Sequence, residues 1–157
     1  MTSNLSTPLI SIVVPCYNSA PWLAELADQV HDVMTENQWN YELILVHDAS
    51  GQETWSAISK IAQARPEVRG IDLMFNTGQY RATLCGIEQA AGDIIVTMDD
   101  DLQHPPSQLP LIINALQDDE SADCVFGSFD RKRHGLLRNL GTAFMSWMFR
   151  IAYKKPK

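Results

Sequence analysis

Two hydrophobic rhythms alternate along this chain. Leu9 to Val14 (LISIVV) is an unbroken, largely β-branched apolar run that ends at Pro15, the pattern of a strand buried on both faces. Trp22, Leu23, Leu26, Val30, Val33 and Met34 then recur at helical spacing. Tyr41 to Val46 (YELILV) predicts a second buried strand, closed by the polar turn His47-Asp48-Ala49-Ser50-Gly51, and Thr54 to Ala64 a helix with Trp55, Ile58 and Ile61 inward. Val68 to Met74 reads as a third, weaker strand. The turn Asn76-Thr77-Gly78 leads to a helix from about Tyr80 to Ala91, and Ile94 to Met98 is the fourth strand. After the loop Asp99 to Pro106, Leu109 to Leu116 has helical spacing, and Asp123 to Gly127 (DCVFG) predicts a fifth short strand.

Strands separated by helical segments imply right-handed crossovers and an α/β fold, a mostly parallel sheet with helices on both faces. In such sheets ligands bind beyond the carboxyl ends of the strands. That rule selects three loops: Pro15 to Ala20, His47 to Gly51, and Asp99 to Pro106.

Composition narrows the class without changing this picture. The 157 residues, 45% hydrophobic and 20% charged, suit one globular domain with a real core rather than a disordered or fibrous chain. Residues 1–8 are expected to be a flexible N-terminus, 9–130 an α/β binding domain, and 131–157 a basic loop followed by an amphipathic helix. The net charge of −7 hides a division, −15 over residues 1–130 and +8 over residues 131–157. A basic end suggests an anionic partner there, a diphosphate or a lipid headgroup, or else a solvated helix terminus. Cys16, Cys85 and Cys124 show no metal or redox spacing and read as buried thiols in a reducing compartment. Met1 to Pro8 lacks the features of a secretion signal, and no window of the chain is apolar enough to span a bilayer, so a cytoplasmic face is expected.

Candidate chemistry gathers at the selected loops. Asp99-Asp100-Asp101 follows a buried strand, where adjacent carboxylates repel one another and call for a cation. Mg²⁺ or Mn²⁺, which take oxygen ligands and leave positions open for phosphate oxygens, would meet that need. Asp99 and Asp101 have the alternating spacing to point to one side, with Gln103 two residues further on. Asp48 either accepts the ring N–H of a nucleobase or serves as an Asx-turn or N-cap. Tyr17 either stacks on a base or packs against the fold. Gly78 precedes a helix whose N-terminal N–H groups, with Arg81, would hold anionic groups. From Leu136 to Tyr153 an apolar and aromatic stripe at helical spacing lies either in a membrane interface or against protein.

Together these motifs resemble family 2 glycosyltransferases, most closely the polyprenyl-phosphate branch. The resemblance rests on SIVVPCYN at Ser11 to Asn18, on Asp48 with Ser50, on NTGQYRATLCGIEQAAGD at Asn76 to Asp93, and on MDDDLQHPP at Met98 to Pro106. It implies the GT-A type of nucleotide-diphospho-sugar transferase fold. It also implies that Pro15, Tyr17 and Asp48 lie against base and ribose; Asn18, Gly78, Arg81 and Asp100 are further donor-binding candidates, Asp100 alternatively facing the acceptor side. Asp99, Asp101 and Gln103 would hold metal and diphosphate, and Arg138 would stand near the diphosphate. Asp99, Asp101 and Arg138 are thus the expected catalytic set. The chain departs from the family pattern at Ser19, commonly an acid, and at His47, often Asp or Asn.

The resemblance further implies inverting transfer of a sugar from a UDP- or GDP-linked donor to an acceptor, a polyprenyl phosphate, at the inner face of the cell membrane. Residues 136–153 would touch that surface, and no nucleic acid is expected as a partner. A lipid phosphate is already anionic and needs no strong general base. The alternative is a truncated or partner-dependent module that binds donor without turnover. A dinucleotide oxidoreductase would need GxGxxG after the first strand, and a nucleotidyltransferase a glycine-rich basic loop; PCYNSAPW is neither.

Overall fold

The computed structural model describes residues 8–119 and 121–127. Four parallel strands alternate with helices in the order β1 (Leu9–Cys16), α1 (Leu23–Glu36), β2 (Asn40–His47), α2 (Gln52–Ala64), β3 (Val68–Asp72), α3 (Gln79–Glu88), β4 (Ile94–Thr97) and α4 (Leu109–Asp118). A 3-10 turn, Pro106–Gln108, leads into α4. This compact unit ends at Asp123. Among the described residues no helix is long and apolar enough to cross a membrane.

The strands lie in the order β3-β2-β1-β4, which puts the two most apolar runs in the middle. β1 and β2 pair along their full length, from Leu9 opposite Asn40 to Cys16 opposite His47. Side chains alternate between the faces. Ile10, Ile12, Val14, Leu43 and Leu45 pack with Leu23, Leu26, Val30 and Met34 of α1, Ile58 of α2, and Leu109 and Ile113 of α4. Val13, Ile44 and Val46 turn the other way, onto Ala82 of α3. Both faces are therefore covered, as the continuous apolar runs require. Each aliphatic side chain buried in this way contributes about 1.5–3 kcal/mol.

β4 pairs with β1 only between Ile10 and Val13. β1 continues past it to Pro15 and Cys16, so the sheet opens on the β4 side just where proline has no N–H to offer a neighbour. The Met98 N–H still reaches Val13 O, at 3.1 Å, and the chain then leaves the sheet.

Three expectations change. β3 stops at Asp72 instead of Met74: it is an edge strand, and the residues beyond it, Met74 and Phe75, are exposed. α3 ends at Glu88 instead of Ala91. There the chain is captured for entry into β4, with Ala91 N–H on Glu42 Oε1 at 2.7 Å and Gly92 N–H on Ser11 Oγ at 2.8 Å. A side chain at Gly92 would lie 2.7 Å from both Leu9 O and Ser11 N, so only glycine fits that approach. Finally, residues 123–127 form no strand, and Phe126 is exposed. Among the described residues no strand pairs with this segment, and Val125 and Phe126 are a short apolar run to hold an extended conformation unpaired.

Gly86 is where α3 meets the sheet. A β-carbon there would lie 2.4 Å from Val13 Cγ1 and 3.0 Å from Val46 Cγ2, methyls of stiff β-branched residues on the central strands. Gly86→Ala gains helix propensity but overpacks this contact, and the expected net loss is about 1–2 kcal/mol. The urea unfolding midpoint should fall; an unchanged or higher midpoint would show that α3 does not press on the sheet.

Candidate functional site

Chain order reverses direction between β1 and β4, because β1, β2 and β3 step one way across the sheet and β4 returns to the other side. At such switch points the loops leaving neighbouring strands part and leave a crevice. Here a cavity of about 480 Å³ opens at the carboxyl ends, lined by Pro15, Cys16, Tyr17, Asp48, Asn76, Gly78, Gln79, Asp99, Asp100 and Asp101. The loops after β1, β2, β3 and β4 all contribute. Tyr17 is 55% exposed at its edge, with the ring available as a flat apolar surface rather than packed into the fold.

Asp48 is the buried charge of the site, 3% exposed. Its Oδ1 accepts the Thr77 N–H at 2.7 Å and the Thr77 hydroxyl at 3.0 Å, and its Oδ2 accepts the Gly78 N–H at 2.9 Å. Asn76 Nδ2 donates to the Asp48 carbonyl at 3.1 Å. The residue thus pins the segment that enters α3. It does not cap α2, whose N-cap is Gly51 with no side-chain bond. The anion held at the N-terminus of α3 is the carboxylate of Asp48, favoured there by the helix dipole. Gly78 takes φ 84, a left-handed conformation that glycine adopts without steric cost.

The acidic run is turned three ways. Asp99 Oδ1 accepts from Gln79 Nε2 at 2.6 Å, Asp100 Oδ2 from the Tyr17 N–H at 3.0 Å, and Asp101 Oδ1 from the Gln103 N–H at 3.0 Å. Leu102, between the last pair, sits at φ 57, which bends the chain back to close that turn. The simple alternation of Asp99 and Asp101 along an extended segment is replaced by this local turn. Among the described residues no three His, Cys, Asp or Glu side chains converge as a ready metal cluster. The donor set nevertheless suits a hard cation: each carboxylate keeps an oxygen without a protein hydrogen bond in these contacts, and all three line the cavity. Cys16 shares the wall, where burial, and secondarily the charge of Asp100, push its thiol well above the ordinary range and keep it protonated.

Of the residues expected from sequence, Pro15, Tyr17, Asp48, Gly78, Asp99, Asp100 and Asp101 meet in this cavity. Asn18 is not part of the lining, and its N–H donates to Ser50 Oγ at 3.0 Å. Gln103 contributes its backbone N–H to Asp101 and is not part of the lining, and Arg81 is exposed outside it. Arg138 and the stripe 136–153 lie outside the described residues. Gln79 and Asn76 also line the cavity, although the sequence marks them only as neighbours of Gly78 in the turn before α3 and not as site residues. Their signal was faint: both flank a glycine turn after a strand end, and only the Asp48 and Asp99 contacts reveal their use.

A doubly covered parallel sheet thus opens at its switch point onto a cavity lined by four Asp residues. Residues 11–156 match glycosyl transferase family 2, and the chain belongs to that family. It is 34% identical over 114 residues to an undecaprenyl-phosphate 4-deoxy-4-formamido-L-arabinose transferase of Aeromonas hydrophila, covering 72% of this chain and 35% of that protein. It is 33% identical over 119 residues to a dolichol-phosphate mannosyltransferase of Pyrococcus furiosus, covering 76% of this chain and 32% of that one. Among solved structures it resembles a mannosyltransferase from Pyrobaculum calidifontis in complex with GDP-Man and Mn²⁺, with a TM-score of 0.61 and 25% identity over 71% of this chain and 33% of that one. The chain thus spans between about a third and a half of the length of the curated relatives it matches.

Asp48→Asn should place an amide N–H₂ against donors that now share a carboxylate. The expected cost is about 1–3 kcal/mol of stability, measured by denaturant unfolding. Thr77→Ser keeps the hydroxyl and the backbone bond and should stay within about 0.5 kcal/mol of the parent. Equal stability of Asp48→Asn and parent would remove the clamp role assigned to Asp48.

Proposed function

We propose that this chain forms the donor-binding core of a glycosyltransferase that moves a sugar, with inversion, from a nucleoside diphosphate to a polyprenyl phosphate. The observation that carries this reading is the convergence of Tyr17, Asp48 and the three carboxylates Asp99 to Asp101 in one cavity at the switch point. Family membership and the names of the relatives support it.

In this reading the nucleobase lies against Tyr17 and Pro15. Asp48, with both oxygens already receiving donors from the loop before α3, retains lone-pair capacity for a base N–H. Its first task is to hold Gly78 and Gln79 at the cavity wall. Asp99 and Asp101 are the residues that would hold a divalent metal, Mg²⁺ or Mn²⁺, with Gln103 closing the Asp101 turn. When bound, that ion offsets the charge of the departing diphosphate. The Mn²⁺ and GDP-Man of the Pyrobaculum protein support this assignment. Asp100, tied to the Tyr17 backbone, couples the loop after β4 to the loop after β1. Arg138 is proposed near the diphosphate. A lipid acceptor places the reaction at a membrane surface, which we propose to be its cytoplasmic face.

The test is release of nucleoside diphosphate when the protein is incubated with UDP- and GDP-sugars, Mn²⁺ and a polyprenyl phosphate. Asp101→Ala should lower that release at least about a hundredfold and weaken Mn²⁺-dependent donor binding. Donor binding by calorimetry without release in any combination would select the partner-dependent module instead. Absence of binding with every donor would overturn the proposal.

A further inference from the structure

His47 closes β2, is 5% exposed and has neither ring nitrogen to spare. Nδ1 lies 2.7 Å from Oδ1 of Asp72, the last residue of β3. Nε2 receives the backbone N–H of Ser50 at 3.0 Å and lies 3.1 Å from Ser50 Oγ. An N–H aimed at Nε2 makes that nitrogen the acceptor, so the ring proton belongs on Nδ1 and is donated to Asp72. The imidazole also stacks on Trp55, with ring centroids 6.1 Å apart and planes 22° from parallel. Two directed bonds and one stacked face leave the ring a single orientation.

Through Ser50 that orientation reaches the cavity. Ser50 Oγ accepts the Asn18 N–H at 3.0 Å, and the Gly51 N–H reaches Asn18 Oδ1 at 3.4 Å. The preceding residue, Tyr17, holds Asp100 through its own N–H. Asn18, at φ 56, and Ala49, at φ 44, both occupy the left-handed region, which residues with a side chain keep only where the surroundings impose it. Ala49 lies inside the loop that the His47 ring closes on Ser50. The ends of β1, β2 and β3 are thereby joined in one polar relay, Asp72 to His47 to Ser50 to Asn18. The order Asp, His, Ser is that of a hydrolytic triad, but Ser50 does not line the cavity and its oxygen is engaged by a backbone N–H.

We infer that His47 is a positioning residue for the donor site: oriented by Asp72, it fixes Ser50, which holds the Asn18 backbone and so sets Tyr17 and Asp100 at the cavity mouth. The inference rests on the donor-binding reading above for its functional consequence, and on the relay alone for its structural one. His47 itself touches no substrate.

Two substitutions separate the halves of the ring's task. His47→Asn keeps an N–H for Asp72 but is too short to accept from Ser50, whereas His47→Gln carries an acceptor oxygen to the place of Nε2. In His47→Asn the Asn18 amide should exchange its hydrogen about tenfold faster or more. Its affinity for a UDP- or GDP-sugar with Mn²⁺ should fall about tenfold, with little change in the thermal midpoint. His47→Gln should restore both to within about threefold. Ser50→Ala, which removes the oxygen but leaves the backbone bond to the ring, should also free the Asn18 amide, and it serves if His47→Asn fails to fold. Parent-like exchange in Ser50→Ala would overturn the inference. Equal losses in both His47 variants accompanied by a lower thermal midpoint would do so as well, since they would mark a merely structural ring. A parent protein that binds no nucleotide sugar would instead overturn the donor reading, and the exchange measurements would still decide the relay.

Discussion

The parallel ladder between β1 and β2 is the constraint on which the rest depends. It runs for the whole of both strands, from Leu9 and Asn40 to Cys16 and His47, while β4 follows β1 only as far as Val13. Two long central strands and a short neighbour force the sheet to open on one side of β1. The opening falls at Pro15, and the acidic run leaves β4 directly across from it. The cavity is a consequence of unequal strand lengths.

Polar side chains then decide the shape of that opening. Asp48 emerges from an otherwise apolar strand and is spent on the Thr77 and Gly78 N–H groups, so the start of α3 is held against the end of β2. Asp100 does the same between the loops after β4 and β1, and His47 links the end of β3 at Asp72 to the Ser50 N–H in the loop after β2, from which Ser50 Oγ reaches the Asn18 N–H after β1. In each case a side chain at a strand end satisfies backbone donors that no ladder can reach. Left-handed residues at Asn18, Ala49 and Leu102 mark where the chain bends to meet these groups. Backbone strain of that kind persists only where surrounding bonds over-determine the conformation.

The same logic changes how the acidic run is understood. On an extended segment Asp99 and Asp101 would share one side, with Asp100 on the other, and without a cation the neighbouring carboxylates would repel one another. With each engaged by a different donor, Gln79, Tyr17 N–H and Gln103 N–H, their mutual repulsion is partly compensated within the protein. A cation and a diphosphate would add to an arrangement that is already held open.

Residue periodicity alone determined the order and type of the eight elements from Leu9 to Asp118, because a strand buried on both faces and a helix buried on one stripe leave different repeats in a chain. It also located the three loops that bear the site, since parallel sheets bind ligands at their carboxyl ends. Motif resemblance at Ser11 to Asn18, Asn76 to Asp93 and Met98 to Pro106 supplied the family. What it could not fix were contacts between residues far apart in sequence. The Asp48 clamp on Thr77 and Gly78, the Gln79 bond to Asp99 and the pairing of His47 with Asp72 span 20 to 30 residues, and nothing local to any of them announces its partner. Neither could it exclude a strand at DCVFG, where composition permitted one but the described residues form none. Local pattern is written by burial, which each residue experiences individually. Hydrogen bonds between loops exist only once the sheet has set the loops side by side.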